Sequence, residues 1–214
     1  TEALKIDPNS TQAMNEMAGL EEAAGNIAEA VRWLEKARGL RPNDLTTGLQ
    51  LLEFHLRSGK PDRALAVAKE LRGAAPDNVE VQFAYGRAQL ALGQIEAARQ
   101  TFQGMTRKAG FDVKRLTRIA QLQIAVGDHA GAEYSLQKAI LQQENFIPAH
   151  ALLAELDIAA GRYADAEARI QRLLGSAATQ AAGQRLRAEM YLRQRRFDQA
   201  VASYQAALGK ADTL

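Results

Sequence analysis

The sequence predicts an all-α solenoid in which antiparallel helix pairs stack on one another along the chain. One observation is a short segment that returns every 34 residues, beginning at Gly25, Gly59, Gly93, Gly127, Gly161 and Arg195. Each copy ends five residues later in an alanine. The other observation is that two amphipathic stretches, each of about a dozen residues, flank this turn in every period. A fixed period of this kind indicates a repeat array, in which each helix pair buries its apolar face against the next.

The repeats cover nearly the whole chain. Residues 8–214 hold six of them without insertion, with approximate limits 11–44, 45–78, 79–112, 113–146, 147–180 and 181–214. Residues 1–7 match the end of a preceding repeat. Because the chain therefore opens within a predicted helix, we expect it to be a fragment of a longer protein.

The second repeat shows why these residues should form a helix pair. Asp44 is placed to cap the first helix, whose leucines recur every three or four residues on one stripe. Gly59 is predicted to end that helix, and Pro61 opens the second helix, where its missing N–H is not needed. The buried face of the second helix is predicted to consist of Ala64, Leu65, Ala68 and Leu71.

An alanine one turn into every second helix is predicted to let two helix backbones approach closely. A larger side chain there would overpack the crossing. These alanines are Ala30, Ala64, Ala98, Ala132, Ala166 and Ala200.

This pattern resembles the tetratricopeptide repeat (TPR) over the whole chain. Position 8 of the repeat, small in that family, is occupied by Ala18, Leu52, Gly86, Ala120, Ala154 and Ala188. The family's terminal proline is kept at Pro8, Pro42 and Pro76. The departures are Arg187 at a usually apolar position and Arg195 in place of glycine. The resemblance implies a right-handed superhelix whose first helices line a concave groove that binds proteins.

Several segments are similar in amino-acid sequence to the TPR lipoproteins of the bacterial PEP-CTERM/exosortase system. They are residues 33–43, 59–76, 161–166 and 196–208. The similarity implies a lipoprotein, periplasmic or associated with the outer membrane through a lipid anchor outside this fragment. Its role would be in exopolysaccharide production or export, or in PEP-CTERM protein sorting. Without this similarity, we would expect a cytoplasmic protein.

The groove residues follow from the TPR register, in which positions 2, 5, 6, 9, 12 and 13 point into the groove. Phe83 is expected to be an exposed apolar anchor one turn before Arg87. Lys114 and Arg118 form an i, i+4 pair of cations able to hold a carboxylate or phosphate. The alternative interpretation is an ordinary solvated surface. The predicted contacts are Leu49, Glu53, Phe83, Arg87, Lys114, Thr117, Arg118, Gln121, Glu155, Arg185 and Glu189.

The residue types present argue against catalysis, a metal site or a cofactor. The chain has no cysteine, so a disulfide or thiol nucleophile is excluded. His55 and His150 take core-facing positions and His129 lies at a helix start, without the i, i+4 spacing of a helical zinc site. We therefore expect no enzyme activity in this fragment.

Charge gives no support for a nucleic-acid partner. The formal net charge is only +2. The arginines of the last repeat lack the interleaved aromatic platforms that single strands require, so a solvated helix face is favoured.

The sequence therefore predicts a non-catalytic protein-interaction scaffold. The alternative is a regulatory or substrate-presenting appendage of an enzyme such as a glycosyltransferase or kinase. The last helix ends with Val201, Tyr204 and Leu208 uncapped, so we expect another part of the protein, or a second copy forming a homo-dimer, to cover it.

Overall fold

A computed structural model describes residues 2–110 and 112–209, apart from the side chains of Ala3 and Leu4. The ends of the predicted 1–7 and 181–214 segments, at Thr1 and at 210–214, lie outside these residues. The described residues form only α-helices and turns, which confirms the predicted all-α fold. In chain order the helices are α1 (Glu2–Ile6), α2 (Thr11–Ala23), α3 (Ile27–Leu40), α4 (Leu45–Arg57), α5 (Pro61–Ala74), α6 (Val79–Ala91), α7 (Ile95–Lys108), α8 (Val113–Ala125), α9 (His129–Gln142), α10 (Ile147–Ala159), α11 (Tyr163–Leu174), α12 (Ala177–Arg193) and α13 (Phe197–Leu208).

The helices belong to two compact units, one ending at Met105 and the other beginning at Thr106. In the first unit, α2 packs against α3 and α4 against α5. There α3 and α5 also contact the first helix of the following pair, α4 and α6. In the second unit, the pairs α8–α9, α10–α11 and α12–α13 pack in the same way, with α9 against α10 and α11 against α12. Within each unit, therefore, α3, α5, α9 and α11 each pack against the first helix of the following repeat.

The turn inside each repeat has a left-handed backbone. The φ angle lies between 65° and 80° at Gly25, Gly59, Gly93, Gly127 and Gly161. A Cβ on any of these glycines would meet no atom within 4 Å. The backbone angle, and not crowding, therefore selects glycine. Arg195 adopts a φ of 59° at the sixth turn, so the turn conformation is kept where the glycine is lost.

The recurrent alanines lie in the core as predicted. All six are fully buried, and so is the predicted face of α5. Gly86 shows how close the helices come, because a Cβ there would lie 2.3 Å from the Phe102 ring. At this crossing, therefore, the Phe102 ring leaves no room for a side chain.

Polar side chains join the two helices of a pair in three successive repeats. Thr101 donates to the Gln89 amide oxygen at 2.8 Å, and Ser135 donates to the Gln123 amide oxygen at 2.7 Å. The equivalent pair in the next repeat is an ion pair, in which Arg169 Nε lies 2.7 Å from Asp157 Oδ2. Gln89, Gln123, Ser135 and Asp157 are buried, so each depends on its partner for hydrogen bonding.

Helix α12 is longer than the other first helices and begins at Ala177. Ala178 stands at the position where Pro42 and Pro76 end their repeats. The Thr179 hydroxyl donates to the Leu173 carbonyl at 2.7 Å and ties the start of α12 to the end of α11.

Candidate functional site

The candidate site is the first-helix face, which we define as positions 2, 5, 6, 9, 12 and 13 of each repeat. In the first unit, two ion pairs join charges on this face across neighbouring repeats. Arg87 makes two hydrogen bonds to the Glu53 carboxylate, at 2.7 and 3.1 Å. Arg57 likewise pairs with Glu22. Glu53 and Arg87 remain more than one third exposed, so a ligand could reach them only by competing with this ion pair.

The prediction that Phe83 is an exposed anchor is wrong, because its side chain is only 1% exposed. The reason is that α6 packs against both α4 and α5, so that more of its circumference is buried than one amphipathic face. Val81, Ala84, Tyr85 and Ala88 of the same helix are also buried. Leu49, at the equivalent position of α4, is partly buried against a core cluster that includes Leu52 and Ala84.

Helix α8 carries two exposed cations at predicted groove positions. Lys114, Arg118 and Gln121 are exposed and lie on one side of α8 at i, i+4 and i+7. Thr117, by contrast, is buried, and its hydroxyl donates to the Val113 carbonyl at 2.8 Å. Its predicted position in the groove is therefore wrong, because the hydroxyl bonds the preceding turn of its own helix.

Glu155, Arg185 and Glu189 come together on α10 and α12. Burial raises the pKa of the Glu155 carboxyl, while the Arg185 guanidinium acts to lower that pKa and the Glu189 carboxylate to raise it. Glu155 and Arg185 still present much of their surface to solvent. A carboxylate that is poorly hydrated but accessible gains more from an incoming donor than a fully hydrated one does.

The exposed residues of α8 and the cluster of Glu155, Arg185 and Glu189 occupy one surface of the second unit, because α10 packs against both α8 and α12. Cations lie on the α8 side of this surface, and Glu155 lies beside Arg185 and Glu189 on the other. The arrangement can hold a ligand that carries both signs of charge.

Sequence reasoning missed a polar pocket on the first-helix face of the first unit. The pocket is open and has a volume of about 500 Å³. It is lined by Thr11, Gln12, Asn15, Glu16, Arg41, Asp44, Thr46 and Gln50. Five of these residues occupy positions 2, 5 or 6 of the first two repeats, so the recurrence of amides and hydroxyls at groove positions was the available signal.

Two of the three histidines are part of the core. His55 and His150 are buried as predicted, and His129 begins α9. Burial lowers the pKa of both buried imidazoles, and the positive charge of Arg63 lowers that of His55 further. The described residues contain no group of three or more His, Asp or Glu side chains arranged to hold a metal ion. None of the described helices is both long and apolar enough to cross a membrane.

Comparison with known proteins gives the same class of repeat. The tetratricopeptide repeat family matches residues 55–121 and 123–190, together more than half of the chain. A tetratricopeptide repeat protein from Parabacteroides merdae is 18% identical, with a TM-score of 0.76 over 94% of this chain and 80% of that one. The type IV pilus biogenesis factor PilW is 19% identical, with a TM-score of 0.70 over 92% and 91%.

PilF of Pseudomonas aeruginosa is 15% identical, with a TM-score of 0.66 over 90% of this chain and 88% of that one. At these identities the likeness concerns the fold alone. No curated protein sequence matches the chain.

Proposed function

Because the chain belongs to the tetratricopeptide repeat family, we propose that it is a non-catalytic scaffold that binds a partner protein along its first-helix face. TPR repeats generally mediate protein–protein binding. The proposal concerns which surface is used and what chemistry it recognises.

The observation that carries this proposal is the exposed charge on α8 and α10. Lys114 and Arg118 would hold an acidic side chain of the partner, and Glu155 would hold a basic one. Packed helices lie about 8–10 Å apart, and a chain in the extended polyproline II conformation advances about 3.1 Å per residue and presents every third side chain on the same side. The preferred partner segment therefore has acidic and basic residues about three positions apart.

A charge-reversal variant tests the surface. Lys114→Glu combined with Arg118→Glu should lose partners that the wild-type protein retains in pull-downs from the native host. Its helical circular dichroism should not change, because both side chains are exposed. Phe83 is left intact because it is buried.

The matched control is Arg63→Glu with Lys69→Glu. It makes the same change in net charge at exposed positions of the second helix α5. The control should keep every partner. If both double variants retained the same partners, the binding surface would lie elsewhere.

For the biological setting, we propose that the parent protein is a lipoprotein outside the cytoplasmic membrane that serves exopolysaccharide production or export, or PEP-CTERM protein sorting. The support is the resemblance in amino-acid sequence between TPR lipoproteins of that system and residues 33–43, 59–76, 161–166 and 196–208. An N-terminal lipobox cysteine in the full-length sequence, or exosortase genes next to its gene, would support this setting. A fused glycosyltransferase or kinase domain would instead favour the role of an enzyme appendage.

We also propose that a second copy covers the exposed face of α13. The residue at position 24 is fully buried in the first five repeats, at Leu34, Ala68, Phe102, Leu136 and Ile170. Its counterpart Tyr204 is 37% exposed, beside Val201 at 55% and Leu208 at 66%. Light scattering should report a dimer that Val201→Glu converts to a monomer. A monomer at every concentration of the wild-type protein would contradict the proposal.

A further inference from the structure

The polar pocket of the first unit is built around a buried threonine. Thr47 is fully buried on α4. Its hydroxyl donates to Asp44 Oδ2 at 2.5 Å and accepts from the Asn15 amide nitrogen at 2.9 Å. The Asp44 carboxylate also accepts from the backbone N–H groups of Thr46 and Thr47. Asn15 and Asp44 are therefore held in fixed orientations at the wall of the pocket.

Packing does not require this hydroxyl. The positions equivalent to Thr47 in the neighbouring repeats are occupied by Ala13 and Val81, both of which are buried. The positions equivalent to Asn15 are Leu49 and Phe83. An apolar contact between α2 and α4 would serve the fold as well. The polar group at this one contact is instead suited to orienting Asn15 and Asp44.

The lining of the pocket favours a cation. It contains the carboxylates of Glu16 and Asp44 against the single guanidinium of Arg41, so its formal charge is negative. The other lining side chains are amides and hydroxyls, and none is aromatic or aliphatic. An ammonium group has three donors and no acceptor, so it is matched by carboxylate and amide oxygens.

We propose that this pocket binds a lysine side chain on an extended segment of the partner protein. The inference rests on the proposed function, because the pocket is lined by first-helix positions of the first two repeats. Glu16 supplies the mobile carboxylate and Asp44 the fixed one. Thr47 acts as a positioning residue, and Arg41 is a neighbouring cation that weakens the site for lysine.

Three capped tripeptides serve as probes. Acetyl-Gly-Lys-Gly-amide should shift the side-chain amide resonances of Asn15, Gln12 and Gln50 in a two-dimensional ¹H–¹⁵N spectrum. Acetyl-Gly-Gln-Gly-amide and acetyl-Gly-Glu-Gly-amide should not shift them. Equal shifts with the glutamate peptide, or none with the lysine peptide, would overturn the proposal.

Two charge-removing variants give a test by sign. Glu16→Gln should raise the Kd for the lysine peptide about threefold, which is the effect of losing one exposed ion pair. Arg41→Gln should lower that Kd, because it removes a repelling charge from the same lining. Changes in the same direction for both variants would mean that charge does not select the ligand.

Thr47→Val tests the positioning role. Val81 shows that valine fits the space at the equivalent position, but Asn15 loses its hydrogen-bond partner, so the unfolding midpoint should fall moderately while the Kd for the lysine peptide, measured well below that midpoint, rises. An unchanged Kd would show that Thr47 does not position Asn15 and Asp44 for the lysine peptide. The outcome is separate from the partner pull-downs, because neither Lys114 nor Arg118 lines the pocket. Partner capture that depends on those two residues would stand even if the lysine peptide did not bind.

Discussion

Replacing Arg195 by glycine should stabilise the protein, even though it removes a whole side chain. Arg195 is exposed and adopts a φ of 59°. A residue with a Cβ destabilises the folded state by about 1–2 kcal/mol when its backbone is in this left-handed region. Glycine offsets about 0.5–1 kcal/mol of this gain, because an unfolded chain with glycine at this position has more conformational freedom to lose on folding. The free energy of unfolding should therefore rise by about 0.5–1 kcal/mol.

The neighbouring Arg193 gives a matched control. It is also exposed but is the last residue of α12, where glycine is less favourable than other residues by up to about 1 kcal/mol. Arg193→Gly should therefore lower stability while Arg195→Gly raises it. Gly161→Ala should lower the free energy of unfolding, because alanine would have to adopt a φ of 74°. No atom lies within 4 Å of the added Cβ, so the backbone angle alone would cause this loss.

The change should be concentrated in the last helix pair, so the assay must resolve local stability. Native-state hydrogen exchange of the α12 and α13 amides reports opening of this pair separately from global unfolding. Urea unfolding followed by circular dichroism gives the whole-chain value. Slower exchange in α12 and α13 for Arg195→Gly supports the argument. If Arg195→Gly and Arg193→Gly destabilised the pair equally, the strain assigned to the left-handed backbone would be absent.

Two further predictions concern the core. Ala98→Leu should lower the free energy of unfolding by about 1–3 kcal/mol through overpacking, whereas Ala91→Leu, at an exposed position, should lower it less; equal thermal midpoints would contradict the packing assignment. Because burial lowers the pKa of His55 and His150 below the ordinary value of 6.5, the unfolded chain binds protons that the folded chain does not. Stability in urea should therefore be flat above about pH 6.5 and fall as the pH drops below it. His55→Leu should remove part of that dependence, and a flat profile between pH 5 and 7 would contradict this reasoning.

The sequence was sufficient for the fold because its strongest signals are local. A glycine in a left-handed turn and an alanine at a helix crossing each report a constraint within one repeat, so Gly59 and Ala64 could be interpreted without knowledge of the neighbours. The 34-residue period then extended that interpretation along the chain. The exposure of first-helix residues depends on what packs around each helix, and the register alone does not contain that information.

Phe83 and Thr117 show where the register fails. Phe83 belongs to a helix that packs against both α4 and α5, and Thr117 satisfies its hydroxyl within its own helix. The contact of Asn15 with Thr47 joins residues 32 positions apart, so no local sequence pattern predicts it. Lys114 and Gln121 are exposed because α8 has one apolar and one polar face, and their contact with a partner stays a prediction.

A site-specific photocrosslink tests the central claim most directly. The chain contains no cysteine, so Gln121→Cys creates a single attachment point for a benzophenone maleimide on the first-helix face. Lys69→Cys places the same label at an exposed position of the second helix α5. In host extract, the label at position 121 should crosslink a partner protein that the label at position 69 does not reach. Crosslinking of that partner from position 69 alone, or equally from both positions, would contradict binding along the first-helix face.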